Sequence, residues 1–219
     1  MKKICLLLVF SIALLKIGNS SNVLEINAFE KYKIATILFL DGTSIKGYGK
    51  LSGVLNKYKI KFKVSKDDKP DVWTELMVKG ITFHDESGDT TFLYVKLSKN
   101  GYPILLELVE EGVVSLFMEI RTHWINSNVD SNTNFPMHTQ VSKTITYFLK
   151  HNLSKEVLTT SSSQSLFGNV SSISFGFKKK LKRFFKGCIG IENKLDSGEF
   201  NRHTVPEMVY YYNDFCTDL

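Results

Sequence analysis

The densest group of potentially reactive side chains is His84-Asp85-Glu86 with Asp89 close behind. An imidazole among three carboxylates could bind a metal or exchange protons. A Ca²⁺ loop, however, needs more oxygen ligands at fixed spacing, and the EF-hand pattern is absent. With Ser87-Gly88 at its centre the segment reads as a β-turn. His123 stands beside Trp124 with no nucleophile near it in sequence, and His138, His151 and His203 are scattered. Glu107, Glu110, Glu111 and Glu119 lie on or near one apolar stretch. Paired carboxylates there could in principle hydrolyse glycosides, but solvated charges on a hairpin are the simpler reading. The chain contains no G-x-S-x-G, no H-E-x-x-H and no phosphate-binding glycine loop. No catalytic, cofactor-binding or metal-ligating residue is assigned, and no cofactor is expected.

Cysteine chemistry depends on the compartment. Lys2 and Lys3 precede the apolar run Ile4 to Leu15, and Gly18 and Ser20 are small residues before Ser21. This is the pattern of a secretory signal peptide over 1–20, with an apolar core short for a membrane span. The chain is expected to be exported, periplasmic or secreted. Cleavage would remove Cys5 and leave Cys188 and Cys216, which an oxidising compartment favours as a disulfide. It would also remove Lys2, Lys3 and Lys16, leaving 25 basic against 22 acidic residues, a balance of +3 instead of +6. That balance gives no reason to expect a nucleic acid partner.

The elements that position these groups are mostly strands. Pro103 to Ile120 reads as a hairpin turning at Glu110-Glu111-Gly112, with Gly112 in the left-handed conformation. Lys33 to Leu40, Thr43 to Lys50, Tyr58 to Val64, Val72 to Val78, Ile81 to His84 and Thr91 to Leu97 read as further strands between turn signals. In the third, Tyr58, Ile60, Phe62 and Val64 should face the core. Lys57, Lys59, Lys61 and Lys63 should form a solvated stripe protecting a sheet edge. Lys79-Gly80 reads as a turn, and Asn126 to Thr139 as a long loop. Thr144 to Lys150 resumes as a strand. The fold class is α+β: an antiparallel β-rich domain over 21–158 (meander, sandwich or small barrel), a Ser/Thr-rich linker over 159–170, and a helical C-terminal segment over 171–219 packed on the β-domain.

Within that segment Phe177, Leu181, Phe184, Phe185 and Cys188 fall at helical spacing. Lys178, Lys179, Lys180, Lys182, Arg183 and Lys186 cover the other side as a basic surface. Such a helix can touch an anionic membrane, but five apolar residues at core spacing call for a protein partner. A second helix is expected from Ile189 to Ser197, stopped by Gly198. A third should start at Thr204, where Thr204-Val205-Pro206-Glu207 has the form of a capping box. Cys188 and Cys216 then lie at helix ends.

The order of these pieces resembles a group of uncharacterised exported proteins of Gram-negative bacteria. The resemblance rests on D-G-T-x-x-x-G at Asp41 to Gly47, V-x-L-F at Val114 to Phe117, F-K-G-C at Phe185 to Cys188, K-L-x-S-G-E-F at Lys194 to Phe200 and V-P-E-M-V-x-Y-Y-N-x-x-C at Val205 to Cys216. It implies export and a β-domain followed by a two-cysteine helical segment, and no activity. Ile189 stands where such proteins often carry proline. The combined expectation is a non-enzymatic binding or structural module of the cell envelope, its partner a protein or other envelope component. The alternatives are a hydrolase of envelope polymers using the hairpin carboxylates, or a membrane-surface protein using the basic helix 177–188.

Overall fold

The computed structural model describes residues 31–53, 58–129, 136–153, 157–165 and 176–217. The expected signal peptide, Lys57 and residues 166–170 of the expected linker lie outside them. The strands are β1 (Lys33–Phe39), β2 (Ser44–Ser52), β3 (Lys59–Lys63), β4 (Asp71–Trp73), β5 (Val78–Asp85), β6 (Gly88–Val95), β7 (Ile104–Glu110), β8 (Val114–Val129), β9 (Pro136–His151) and β10 (Val157–Ser165). They form one antiparallel sheet in the order β10-β9-β8-β7-β6-β5-β1-β2-β3-β4. Helices α1 (Phe177–Phe184), α2 (Ile189–Ser197) and α3 (Val205–Phe215) follow. The α+β class and the helical C-terminal segment are as expected.

The β4 end of the sheet curls on itself. Ala35, Ile37, Leu51, Ile60, Phe62, Ile81 and Phe83 alternate with polar residues along their strands and point into one enclosed core. Gly49 sits inside this core, where a Cβ would strike the side chains of Ile81 and Ala35. Only bare backbone fits there. The Tyr94 hydroxyl on β6 donates to the carbonyls of Trp73 and Tyr58 at 3.3 and 3.4 Å. β6 thus meets β4, five places away in the sheet order, and the approach to β3, four places away, across the curl, and the result is a small partial barrel.

A second core lies between the other end of the sheet and the helices. Val114, Leu116 and Leu149 pack against Leu181, Phe184, Phe185, Ile191, Leu195, Met208 and Val209. The apolar face of α1 is therefore buried on protein, and Lys178, Lys179, Lys180 and Lys186 are exposed. Cys188 and Cys216 are disulfide-bonded, with Cα atoms 5.6 Å apart. The bond ties the start of α2 to the end of α3.

Several local expectations are corrected. Thr159 to Ser165, expected as linker, pairs with Ser142 to Phe148 as strand β10. Threonine and serine tracts tolerate an extended ladder when a long neighbour supplies the template. The expected loop at 126–139 is largely strand, since β8 and β9 remain paired out to Val129 and Pro136. Lys79-Gly80 is no turn. Gly80 lies within β5 opposite Leu93, where the Phe92 carbonyl and then the Leu93 side chain occupy the space a Cβ would need. Val64 is 60% exposed, because β3 stops one residue before it. The lysine stripe does not protect an edge, for β4 pairs outside β3. Helix α1 ends at Phe184, where Gly187 at φ 98° turns the chain into α2. Thr204 makes no capping box. Its hydroxyl turns back to the Asn201 backbone, accepting from its N–H at 2.8 Å.

Candidate functional site

Strands β2 and β3 bury one face in the curled core, so their alternate residues must line the outside. Pairing sets Tyr48 opposite Lys63 and Lys50 opposite Lys61 on that outer face. Tyr32, just ahead of β1, lies beside them. The Lys50 and Lys63 ammonium groups stand 4.9 and 5.0 Å from the Tyr32 ring centre, and Lys66 stands 5.7 Å from that of Tyr48. Each ring face attracts a cation through its quadrupole. Lys63 also donates to the Lys66 carbonyl. Tyr32, Lys33, Ile34, Tyr48, Lys63, Lys66, His84 and Asp85 line an open cleft of about 520 Å³.

The acidic groups at this cleft are already engaged. Asp85 accepts from the hydroxyl and N–H of Ser87 and lies 3.6 Å from Lys33. The Ser87 bonds and then the lysine hold its carboxyl below the usual range. His84 is bonded on both ring nitrogens, to Thr36 at 2.8 Å and to Asp89 at 2.8 Å. The His84-to-Asp89 segment is thus a β5–β6 turn with Gly88 at φ 124°. No group of three metal-ligating side chains occurs among the described residues. What remains is a positively charged concave surface floored by tyrosines, suited to an anion.

The hairpin carboxylates divide. Glu107 opposes Met118, so Glu107 and Glu119 point to opposite faces of the sheet. Glu119 pairs with Arg121 at 3.0 Å. Glu107 stands in a cross-strand row between Phe92 and Met118, and burial pushes its carboxyl up to about 7. Tyr147 is also raised, first by burial and then by the charges of Glu207, Tyr210 and Glu107. Burial and then Glu110 and Glu207 raise Tyr210 as well. This is an acidic seam between the sheet and α3.

The hairpin tip itself is structural. Gly112 does not take the left-handed conformation. It lacks a side chain because Asn213 of α3 occupies that space. The Asn213 carboxamide accepts from the Val114 N–H and donates to the Val114 carbonyl, each at 3.0 Å. It thereby serves as hydrogen-bond partner to the first residue of β8, beyond the last β7–β8 pair at Glu110 and Leu116. From the other side the Asn152 carboxamide donates to the Gly112 carbonyl.

No family model, no curated protein and no solved structure matches this chain. The cleft stands on its own chemistry. Of its lining, sequence patterning singled out Lys63, His84 and Asp85 and missed Tyr32, Lys33, Ile34, Tyr48 and Lys66, as well as Lys50 beside Tyr32. The usable signal was Lys46-x-Tyr48-x-Lys50, a strand alternation that puts all three on one face. The basic surface of α1 is a separate region. Within it Lys182 is paired with Asp196 at 2.6 Å.

Proposed function

We propose that this chain is an exported, non-enzymatic binding module of the cell envelope. In this reading the curled end of the sheet carries the ligand, and the disulfide-tied helices brace its other end. The observation that carries it is the cleft between Tyr32 and Tyr48, where Lys50, Lys63 and Lys66 converge over aromatic rings. A concave surface with convergent charge is the usual form of a ligand site. Export rests on the signal-peptide pattern, and the disulfide agrees with an oxidising compartment. Intact mass measurement of the exported protein should give an N-terminus at or near Ser21. Retention of Met1 would refute cleavage.

The purified mature chain should co-sediment with isolated envelope material, and Lys63→Glu with Lys66→Glu should abolish this while the melting temperature holds. Soluble fragments should not be released. Release that Glu107→Gln abolishes would replace this reading with the hydrolase one, which the raised carboxyl of Glu107 favours.

A further inference from the structure

Resting on that reading, we infer that the cleft is one end of a track for a linear anionic polysaccharide laid along β2 and β3. The cations continue beyond the cleft in register. On β2, Lys46, Tyr48 and Lys50 share the outer face; on β3, Lys63, Lys61 and Lys59 do so beside them. Same-face side chains on a strand recur about every 6.7 Å, and neighbouring strands are about 4.8 Å apart. The result is a two-row ladder of ammonium groups running from Lys66 towards Lys59. A compact anion would be served by the cleft alone and would leave Lys59, Lys61 and Lys46 unused. A polymer with a carboxylate on successive sugars uses the whole ladder.

Two features select a saccharide over other polyanions. The rings of Tyr32 and Tyr48 have lysine ammonium groups over them, so they do not offer the bare aromatic platforms on which nucleic acid bases stack. The cleft is concave, so a flat bilayer would meet its rim and not its floor. Two carboxylates at this end of the sheet are engaged: Asp85 by Ser87 and Lys33, and Asp68 by the Ser65 N–H at 2.7 Å.

The test is calorimetric titration of the mature protein with polygalacturonate, galacturonate monomer, a single-stranded oligonucleotide of equal charge, and vesicles rich in anionic lipid. Polygalacturonate should bind at least tenfold more tightly per uronate than the monomer and more tightly than the oligonucleotide or vesicles. Its affinity should fall steeply with salt, as for any multi-cation contact with a polyanion. Lys59→Glu with Lys61→Glu, outside the cleft, should weaken the polymer at least fivefold at unchanged melting temperature. Lys178→Glu with Lys179→Glu on α1 should leave it within twofold. Equal monomer and polymer affinity, a preference for vesicles or oligonucleotide, or equal loss from the two double variants would each overturn the track. Failure of the binding-module reading looks different: the polymer would be shortened during titration.

Discussion

Glu107 shows what one side chain can do to a sheet. Its cross-strand neighbours are Phe92 and Met118, and the titrating groups that sense it or its surroundings are Tyr147, Glu207, Tyr210 and Glu110. No cation is among them to stabilise its charge. The ordinary carboxyl value is 4.5, and burial raises it to about 7 in the folded chain. Above 4.5 the unfolded chain sheds this proton while the folded chain keeps it. Stability should therefore fall between about pH 4.5 and 7 and then level off, by about 3 kcal/mol in total. Urea titrations from pH 5 to 8 should show this slope, and Glu107→Gln should flatten it. Asn213 is the opposite case, a half-buried carboxamide used both as acceptor and as donor. Asn213→Ala leaves the N–H and carbonyl of Val114 without this partner, and denaturation should register a loss of about 2 kcal/mol.

Elements are held here by what packs on them. Helix α1 has only eight residues, too short to persist alone. Its stability comes from Leu181, Phe184 and the adjoining Phe185 against Leu149, Val114 and the other helices. Phe184→Ala should cost about 3–5 kcal/mol in chemical denaturation. An unchanged midpoint would mean that the face contributes nothing to folding. The disulfide acts at the same scale. Its partners are 28 residues apart, and the chain-entropy account then assigns about 3–4 kcal/mol to the closed loop. Cys188→Ser with Cys216→Ser should lower stability by that order in refolding experiments. Alkylation of the unreduced, unfolded wild type should label neither mature cysteine.

The molecule as a whole is one sheet with two differently enclosed ends. At the β4 end the sheet encloses its own core, with Tyr94 reaching the carbonyls of Tyr58 and Trp73. At the hairpin end it relies on the helices to cover Val114, Leu116 and Leu149. Truncation after residue 170 should therefore expose that apolar surface. The shortened chain should bind a hydrophobic dye strongly while far-ultraviolet dichroism keeps the sheet signal. Loss of the sheet signal as well would show that the curled end depends on the helices.

The sequence by itself determined the strands with clean alternation, the Ile189 to Ser197 helix and its Gly198 stop, the inward face of α1, and the cysteine pair. Each follows from local periodicity, a glycine's conformational freedom, or counting. Only tertiary structure decided the rest. Thr159 to Ser165 carries no apolar alternation and becomes a strand because β9 offers an unpaired edge. Gly112 looks like a turn residue, yet it is required by Asn213, a hundred residues on in round terms. The cleft joins Tyr32 to Lys63 and Lys66, and the acidic seam joins Glu107 to Glu207, through strand order and helix docking. Those contacts depend on which distant segments meet, and a one-dimensional pattern of side-chain types carries no term for that distance.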